Sequence, residues 1–277
     1  MAVHFIHISK AGGSALRYAV REARVEAGGR LISPWGPIWA QRGHQFKLQD
    51  VRGEDKAVIT LRDPVSRFKS GFYGRLYQGE PRHRKAWTPD EQRVFSWFST
   101  PGELAEALAD SRGPAKRRAR QAMRSIAHLR RHMTDWTGGP AYLHANLDKV
   151  LYFGRQESLD EDWEELKELL GIPRHHLLPR DPKIAHRGEY PRDSPITERG
   201  LAALREWYAH DYQLIEIADH VRAGRTPPAP SVTTRITGVT RRAHVYTSRF
   251  TRRTKARVRN RLPGGTGVAS PDRKPST

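Results

Sequence analysis

Apolar positions along this chain fall into a few short runs and several longer periodic stretches. Val3 to Ile8 is a run of β-branched and aromatic residues and reads as a strand. A Lys10-Ala11-Gly12-Gly13-Ser14 turn follows, and from Ala15 the apolar residues Leu16, Ala19, Val20 and Ala23 recur at helical spacing. Ala57-Val58-Ile59-Thr60-Leu61 is a continuous apolar run, as expected for the buried middle of a parallel sheet. Arg62 and Asp63 lead from it to Pro64, which suits the first turn of a helix with Asp63 as its N-cap. The pattern predicts two strand–turn–helix units, one starting at Val3 and one at Ala57.

Elsewhere the signals are coarser. Glycines and prolines mark residues 31–37 as a loop. Residues 78–145 read as a helical insertion, with helices over Glu91–Ser99, Gly102–Ala109 and Pro114–Met133. The last of these is basic, with eight Lys/Arg and no acid between Arg112 and Met133. Lys149–Gly154 predicts a third strand, and Ser158 with Glu161 has the spacing of a capping box for a helix over Asp160–Leu170. A long loop over Pro173–Pro195 carries Lys183, His186 and Arg187. Glu198–Ala218 reads as one amphipathic helix. From about Arg225 the Pro, Thr, Ser and Arg-rich composition cannot build a core and predicts disorder.

Composition adds an electrostatic asymmetry. Lys and Arg exceed the acids by 19 over 277 residues, and Arg222–Thr277 holds fourteen of them against the single acid Asp272. A chain of this length holds one large α/β domain, here over residues 1–224, with residues 225–277 as a basic tail suited to a polyanion or an anionic surface. Cysteine is absent, which excludes disulfides, thiolate catalysis and cysteine-ligated zinc. No stretch approaches the ~20 apolar residues of a membrane span, and no basic-then-apolar leader precedes Val3. The expectation is a cytoplasmic protein, peripheral at the membrane where the tail meets an anionic surface.

The chemistry concentrates at the first turn. Glycines allow close backbone approach, and a helix start offers free N–H groups and a positive dipole end, so strand, turn and helix together make an anion cradle. Ser14 is placed to cap the helix, and Lys10 adds a full charge. The order differs from the P-loop of nucleoside triphosphatases, where lysine follows the glycines. Taken alone, the stretch also suits an ordinary strand-to-helix turn with a solvated lysine. No His, Asp or Glu cluster has metal-ligand spacing, and Asp63 is the one acid close in sequence to either turn, so no metal is expected.

Two stretches together resemble the sulfotransferases that use 3′-phosphoadenosine 5′-phosphosulfate (PAPS), most of all the carbohydrate type and its bacterial relatives. The family's first motif, approximately Pro-Lys-Thr-Gly-Gly-Thr/Ser-Ser-Leu, stands here as Ser9-Lys10-Ala11-Gly12-Gly13-Ser14-Ala15-Leu16. The second, Arg-Asp/Asn-Pro with a later Arg/Lys and Ser, stands as Arg62-Asp63-Pro64 with Arg67 and Ser70. Ser9 replaces a proline, and Ala11 replaces a threonine whose side chain bonds the phosphosulfate. The resemblance spans roughly residues 3–218. It implies an α/β fold with a P-loop-like parallel sheet flanked by helices.

It further implies PAPS as donor, held by Lys10, Gly12, Gly13, Ser14 and Ala15, with Arg62 and Ser70 on the 3′-phosphate. The acceptor would be a hydroxyl of a glycan or glycolipid. Lys10 would face the leaving group. His44, between the two motifs and with a side chain that titrates near neutrality, is expected to be the base, while His7 is expected to be buried and hydrogen-bonded. Two other readings stay open: a kinase-like nucleotide-dependent transferase, or a basic protein binding nucleic acid or a membrane surface through a degenerate nucleotide fold. No specific nucleic acid is expected on the main reading.

Overall fold

In the computed structural model the described residues are 1–34, 36–39, 43–80, 84–185, 190–191 and 195–231. His186 and Arg187, and the tail beyond Ser231 for which disorder is expected, lie outside them.

The first strand sets the layering. β1 (Val3–Ile6) sends Val3 and Phe5 to one face of the sheet and Ile6 to the other, the period of two inherent in a strand. The chain continues through α1 (Gly13–Glu26), β2 (Ile32–Ser33), β3 (Gly36–Trp39), β4 (Lys56–Leu61) and α2 (Pro64–Leu76). The helices α3 (Pro89–Phe95), α4 (Pro101–Ala109), α5 (Pro114–Ser125), α6 (Thr134–Thr137) and α7 (Pro140–Ala145) lead to β5 (Val150–Arg155). α8 (Leu159–Leu170), α9 (Pro182–Ala185), α10 (Glu198–Trp207) and α11 (Ala209–Arg222) follow.

The sheet order is β2-β3-β1-β4-β5. β3, β1, β4 and β5 run parallel, with Phe5 opposite Val58 and Ile59 opposite Phe153, whereas β2 is antiparallel to β3. The sheet is therefore mixed, not parallel throughout, and the stretch expected to be a loop at 31–37 contributes its antiparallel edge. Strands of two and four residues are too short for alternation to register in sequence. The Gly and Pro that read as loop signals do build the hairpin turn, where the Ser33 hydroxyl donates to the Gly36 carbonyl at 2.9 Å.

Both faces of the sheet are covered. Ala15, Leu16, Ala19 and Val20 of α1 and Trp163 and Leu166 of α8 pack on Val3, Phe5 and Val58. Trp136, Leu143, Leu214 and Ile217, from α6, α7 and α11, pack on Ile6, Ile59 and Leu61. A third cluster joins Phe68 and Phe72 of α2 to α4, α5 and α10. Beside it lies a buried ion pair: Arg75 Nε and Nη2 donate to Glu91 Oε1 and Oε2, each at 2.7 Å.

Two expected helix boundaries shift and one expected cap does not form, each for an identifiable reason. The basic helix expected to reach Met133 ends at Ser125, because its continuation would consume backbone groups used elsewhere. The Ala127 N–H donates to Glu91, and the carbonyls of His128 and Arg131 accept from buried Arg67. The helix expected over Glu198–Ala218 breaks into α10 and α11 at Tyr208, whose ring is fully buried. At the start of α8 no capping box forms; the Ser158 hydroxyl donates to Asp162 instead, at 3.3 Å.

Met1–Pro230 forms one compact unit, and its last helix is closed by the Arg225 N–H donating to the His220 carbonyl. Among the described residues no helix is long and apolar enough to cross a membrane.

Candidate active site

β1 and β4 are direct neighbours, so the turns at their carboxyl ends emerge side by side. The chain leaves β1 toward β3 on one side, while β4 lies on the other. Ligands of open α/β sheets bind in such a crevice outside the carboxyl ends of the strands. Here a cavity of about 990 Å³ opens at that place. Lys10, Gly12, Gly13, Ser14, Ala15, Arg62 and Ser70 all line it. Residues from two stretches some fifty positions apart in sequence thus share one wall.

Hydrogen bonds fix the two turns to each other. Arg62 Nη1 donates to the Lys10 carbonyl at 3.2 Å and its Nε to the Ser66 hydroxyl at 3.0 Å. Arg67, 1% exposed, donates to the Ser9 carbonyl at 3.0 Å and to its hydroxyl at 3.3 Å. Ser9, where the resembling family carries proline, is thereby tied to α2 by its side chain. Ala11 is 1% exposed in the core beside Ile6 and Leu61, so its side chain does not face the cavity. Asp63 caps α2 as expected, accepting from the Ser66 N–H at 2.7 Å.

The turn itself requires both glycines, and the expected Ser14 cap does not form. Gly12 is the N-cap of α1 at φ 81°, a left-handed conformation that a side chain would strain, and a Cβ there would come within 2.9 Å of Leu159. A Cβ on Gly13 would lie 2.4 Å from the His7 ring. Ser14, expected to cap α1, is its second residue and makes no side-chain cap bond, which leaves its hydroxyl at the cavity wall. The Ala15 N–H donates to the Gly12 carbonyl, so the outward donors of the cradle are the amides of Gly13 and Ser14.

Lys10 holds φ 65°, and its ammonium reaches α2 at Gly74, whose missing side chain makes the room: a Cβ there would sit 2.3 Å from Nζ. Tyr190 faces it, ring centroid 6.0 Å away. Burial, with the charges of Arg62 and Arg75, lowers the Lys10 pKa to about 8.

His44 does not line the cavity; His7 does. The two rings stack at 3.9 Å, and His44 Nδ1–H donates to the His7 carbonyl at 3.0 Å. Trp136 Nε1–H donates to the His44 carbonyl at 2.9 Å and fixes its backbone. Although residue 44 as a whole is exposed, burial of its ring lowers its pKa below the ordinary 6.5, and nearby Arg17 and Arg131 act in the same direction. His7 is buried and hydrogen-bonded as expected: Arg17, which can only donate, reaches its Nδ1 at 3.3 Å.

Several lining residues have no precedent in the sequence reading. Lys69 and Tyr73 stand near Ser66 and Ser70 on α2, a placement that helical spacing could have revealed. Glu157, in the turn after β5, and Asp160 and Glu161, in the first turn of α8, also face the cavity, so Asp63 is not the lone acid near the turns: four carboxylates line it. The sequence hides this because β5 reaches the site through sheet pairing alone. In comparisons with protein-family models, with curated proteins and with solved structures, no match to this chain is found.

Proposed function

We propose that this protein is a sulfotransferase that moves a sulfuryl group from PAPS to a hydroxyl of a glycan or glycolipid, on a P-loop-like fold. The observation that carries the reading is the meeting of the Lys10–Ala15 turn with Arg62 and Ser70 in one cavity. A donor with a phosphosulfate at one end and a 3′-phosphate at the other needs two cationic sites facing one cavity, and Lys10 and Arg62 both line it. The acceptor class rests on the resemblance.

Each residue then has a task. The Gly13 and Ser14 amides and the Ser14 hydroxyl hold the 5′-phosphosulfate, and Arg62 with Ser70 holds the 3′-phosphate. Lys10 stabilises charge building on the bridging oxygen as the sulfur–oxygen bond breaks. His44 lies outside the cavity lining but stacks on His7, which lines it, so it would take the proton of an acceptor that enters past His7: with Nδ1–H spent on the His7 carbonyl, its Nε2 carries the lone pair, and a lowered pKa keeps it neutral at pH 7. His7, whose Nδ1 accepts from Arg17, lines the cavity beside Gly13 and backs the His44 ring. The acceptor oxygen gains the sulfur, PAP leaves, and the proton ends on His44. No resident metal is required.

One observation favours a second reading. Asp63, Glu157, Asp160 and Glu161 around the cavity are groups that a kinase-like transferase would use for Mg²⁺. A transfer screen with ³⁵S-labelled PAPS over glycans and glycolipids, run in EDTA and beside a parallel screen with γ-labelled ATP and Mg²⁺, separates the two. Label passing from PAPS in EDTA is the expected result, and label passing from ATP alone overturns the proposal.

A further inference from the structure

At the far end of α1, about 20 Å along the helix from the cradle, a group of side chains has no part in the chemistry above. Glu26 Oε2 lies 2.9 Å from His175 Nε2 and 3.4 Å from His176 Nε2. The three ligand atoms all fall within 4.8 Å of one another. We propose that Glu26, His175 and His176 bind a zinc-class divalent ion that fastens the end of α1 to the turn following α8.

A hydrogen bond to Glu26 accounts for His175, whereas His176 stands at ion-pair distance from the same oxygen without a hydrogen bond. The His176 side chain is 8% exposed, and its Nε2 has no hydrogen-bond partner although it points at the same carboxylate oxygen. Buried imidazole nitrogens are nearly always bonded, and a cation among the three atoms would satisfy this one. The spacing suits such an ion. Bonds of about 2.0–2.1 Å in a tetrahedral site place ligand atoms about 3.3 Å apart. His176 and Glu26 already stand at that separation. The 2.9 Å pair must open by about half an ångström, and both of its side chains are more than half exposed and free to rotate.

The donor set selects the metal. Two imidazoles and one carboxylate, with a fourth position open to water, suit zinc and its transition-metal neighbours; calcium and magnesium prefer oxygen throughout. The histidine turn is also held in advance. Trp163 Nε1–H donates to the His176 carbonyl at 2.7 Å, buried Lys167 donates to the Arg174 carbonyl, and the His176 N–H closes the turn on Pro173. Nearby cations are neutralised, Lys167 by Glu164 and Arg174 by Glu168. Helices α1 and α8 cover the same face of the sheet, so a metal here would cross-link two parts of one layer.

The test uses the full chain and ZnCl₂ alone, with calorimetry and thermal melting on the wild type, Glu26→Gln and His175→Ala. Both substitutions sit at exposed positions and leave the buried His176 in place. The expected result is one tight equivalent of zinc with a rise in melting temperature. In each variant the affinity should fall at least about tenfold and the rise should vanish. Wild-type protein that melts at the same temperature with and without zinc overturns the proposal. So do variants that bind as tightly as the wild type, because the zinc would then sit on other histidines of the chain.

Discussion

The imidazole of His44 lies against that of His7, ring centroids 3.9 Å apart at 27°, and its Nδ1–H donates to the carbonyl of the same residue at 3.0 Å. That bond occupies Nδ1–H and, with the lowered pKa of His44, leaves its Nε2 as the acceptor nitrogen. His44→Ala is expected to slow the chemical step by about 10²–10⁴-fold with PAP affinity unchanged. Single-turnover rates set beside PAP calorimetry check both, and an alanine at 44 with normal turnover would move the base elsewhere.

The pH profile follows from two groups shifted in the same direction. As the proposed base, His44 must be neutral, and its pKa lies below the ordinary 6.5, so kcat/KM should rise with pH through a value below 6.5. On the same proposal Lys10 must be charged, and its pKa is lowered from 10.5 to about 8, so kcat/KM, which reports the free enzyme, should fall as pH passes about 8. Lys10→Ala should remove the alkaline limb and cost transfer far more than PAP affinity. A bound polyanion restores the Lys10 proton, so donor binding near pH 8 to 9 should take up protons. Calorimetry in two buffers of different ionisation enthalpy reads that uptake.

Arg75 and Glu91 form the buried pair that holds α2 against α3. Glu91→Ala should cost about 3–5 kcal/mol in urea unfolding, because Arg75 would keep its burial and lose its counter-charge. Burial opposes ionisation of Glu91, but the bonds from Arg75 and from the Thr88 and Ala127 amides outweigh it and lower its pKa from 4.5 to about 2. Its contribution is therefore complete above pH 4.5 and is lost as pH falls toward about 2. Unfolding curves of wild type and a Glu91→Gln variant should converge across that window.

What the sequence disclosed was local. The glycine turn, the Asp63 cap and the β1 and β4 runs each announce themselves within a dozen residues, because a single element's periodicity or turn chemistry encodes them. The edge hairpin β2–β3 escaped because strands that short show no period. The acids Glu157, Asp160 and Glu161 and the ring of Tyr190 reach the cavity only through strand pairing and loop closure, which no spacing along the chain reports. Glu26 and His175, far apart in sequence but 2.9 Å apart in space, are the extreme case.

The basic tail carries a positive charge suited to an anionic surface. A chain ending at Pro230 is expected to stay folded and bind PAP as the full chain does, since the unit closes there. It should lose salt-sensitive binding to anionic vesicles, worth about 1 kcal/mol per basic residue near an acidic surface. Vesicle sedimentation over a salt series, beside thermal melting, checks both halves. A truncated chain that fails to fold would place the tail within the domain.

On the proposed reading, recognition of a 3′-phosphate by Arg62 would separate a PAPS site from any other nucleotide cradle. The most direct measurement is calorimetry of PAP and of adenosine 5′-monophosphate, in EDTA, on wild type and Arg62→Ala. The account predicts that wild type prefers PAP and that Arg62→Ala weakens PAP by ~1.5–3 kcal/mol while leaving the monophosphate nearly unaffected. Equal affinity for the two nucleotides, or PAP binding untouched by the loss of Arg62, would contradict it.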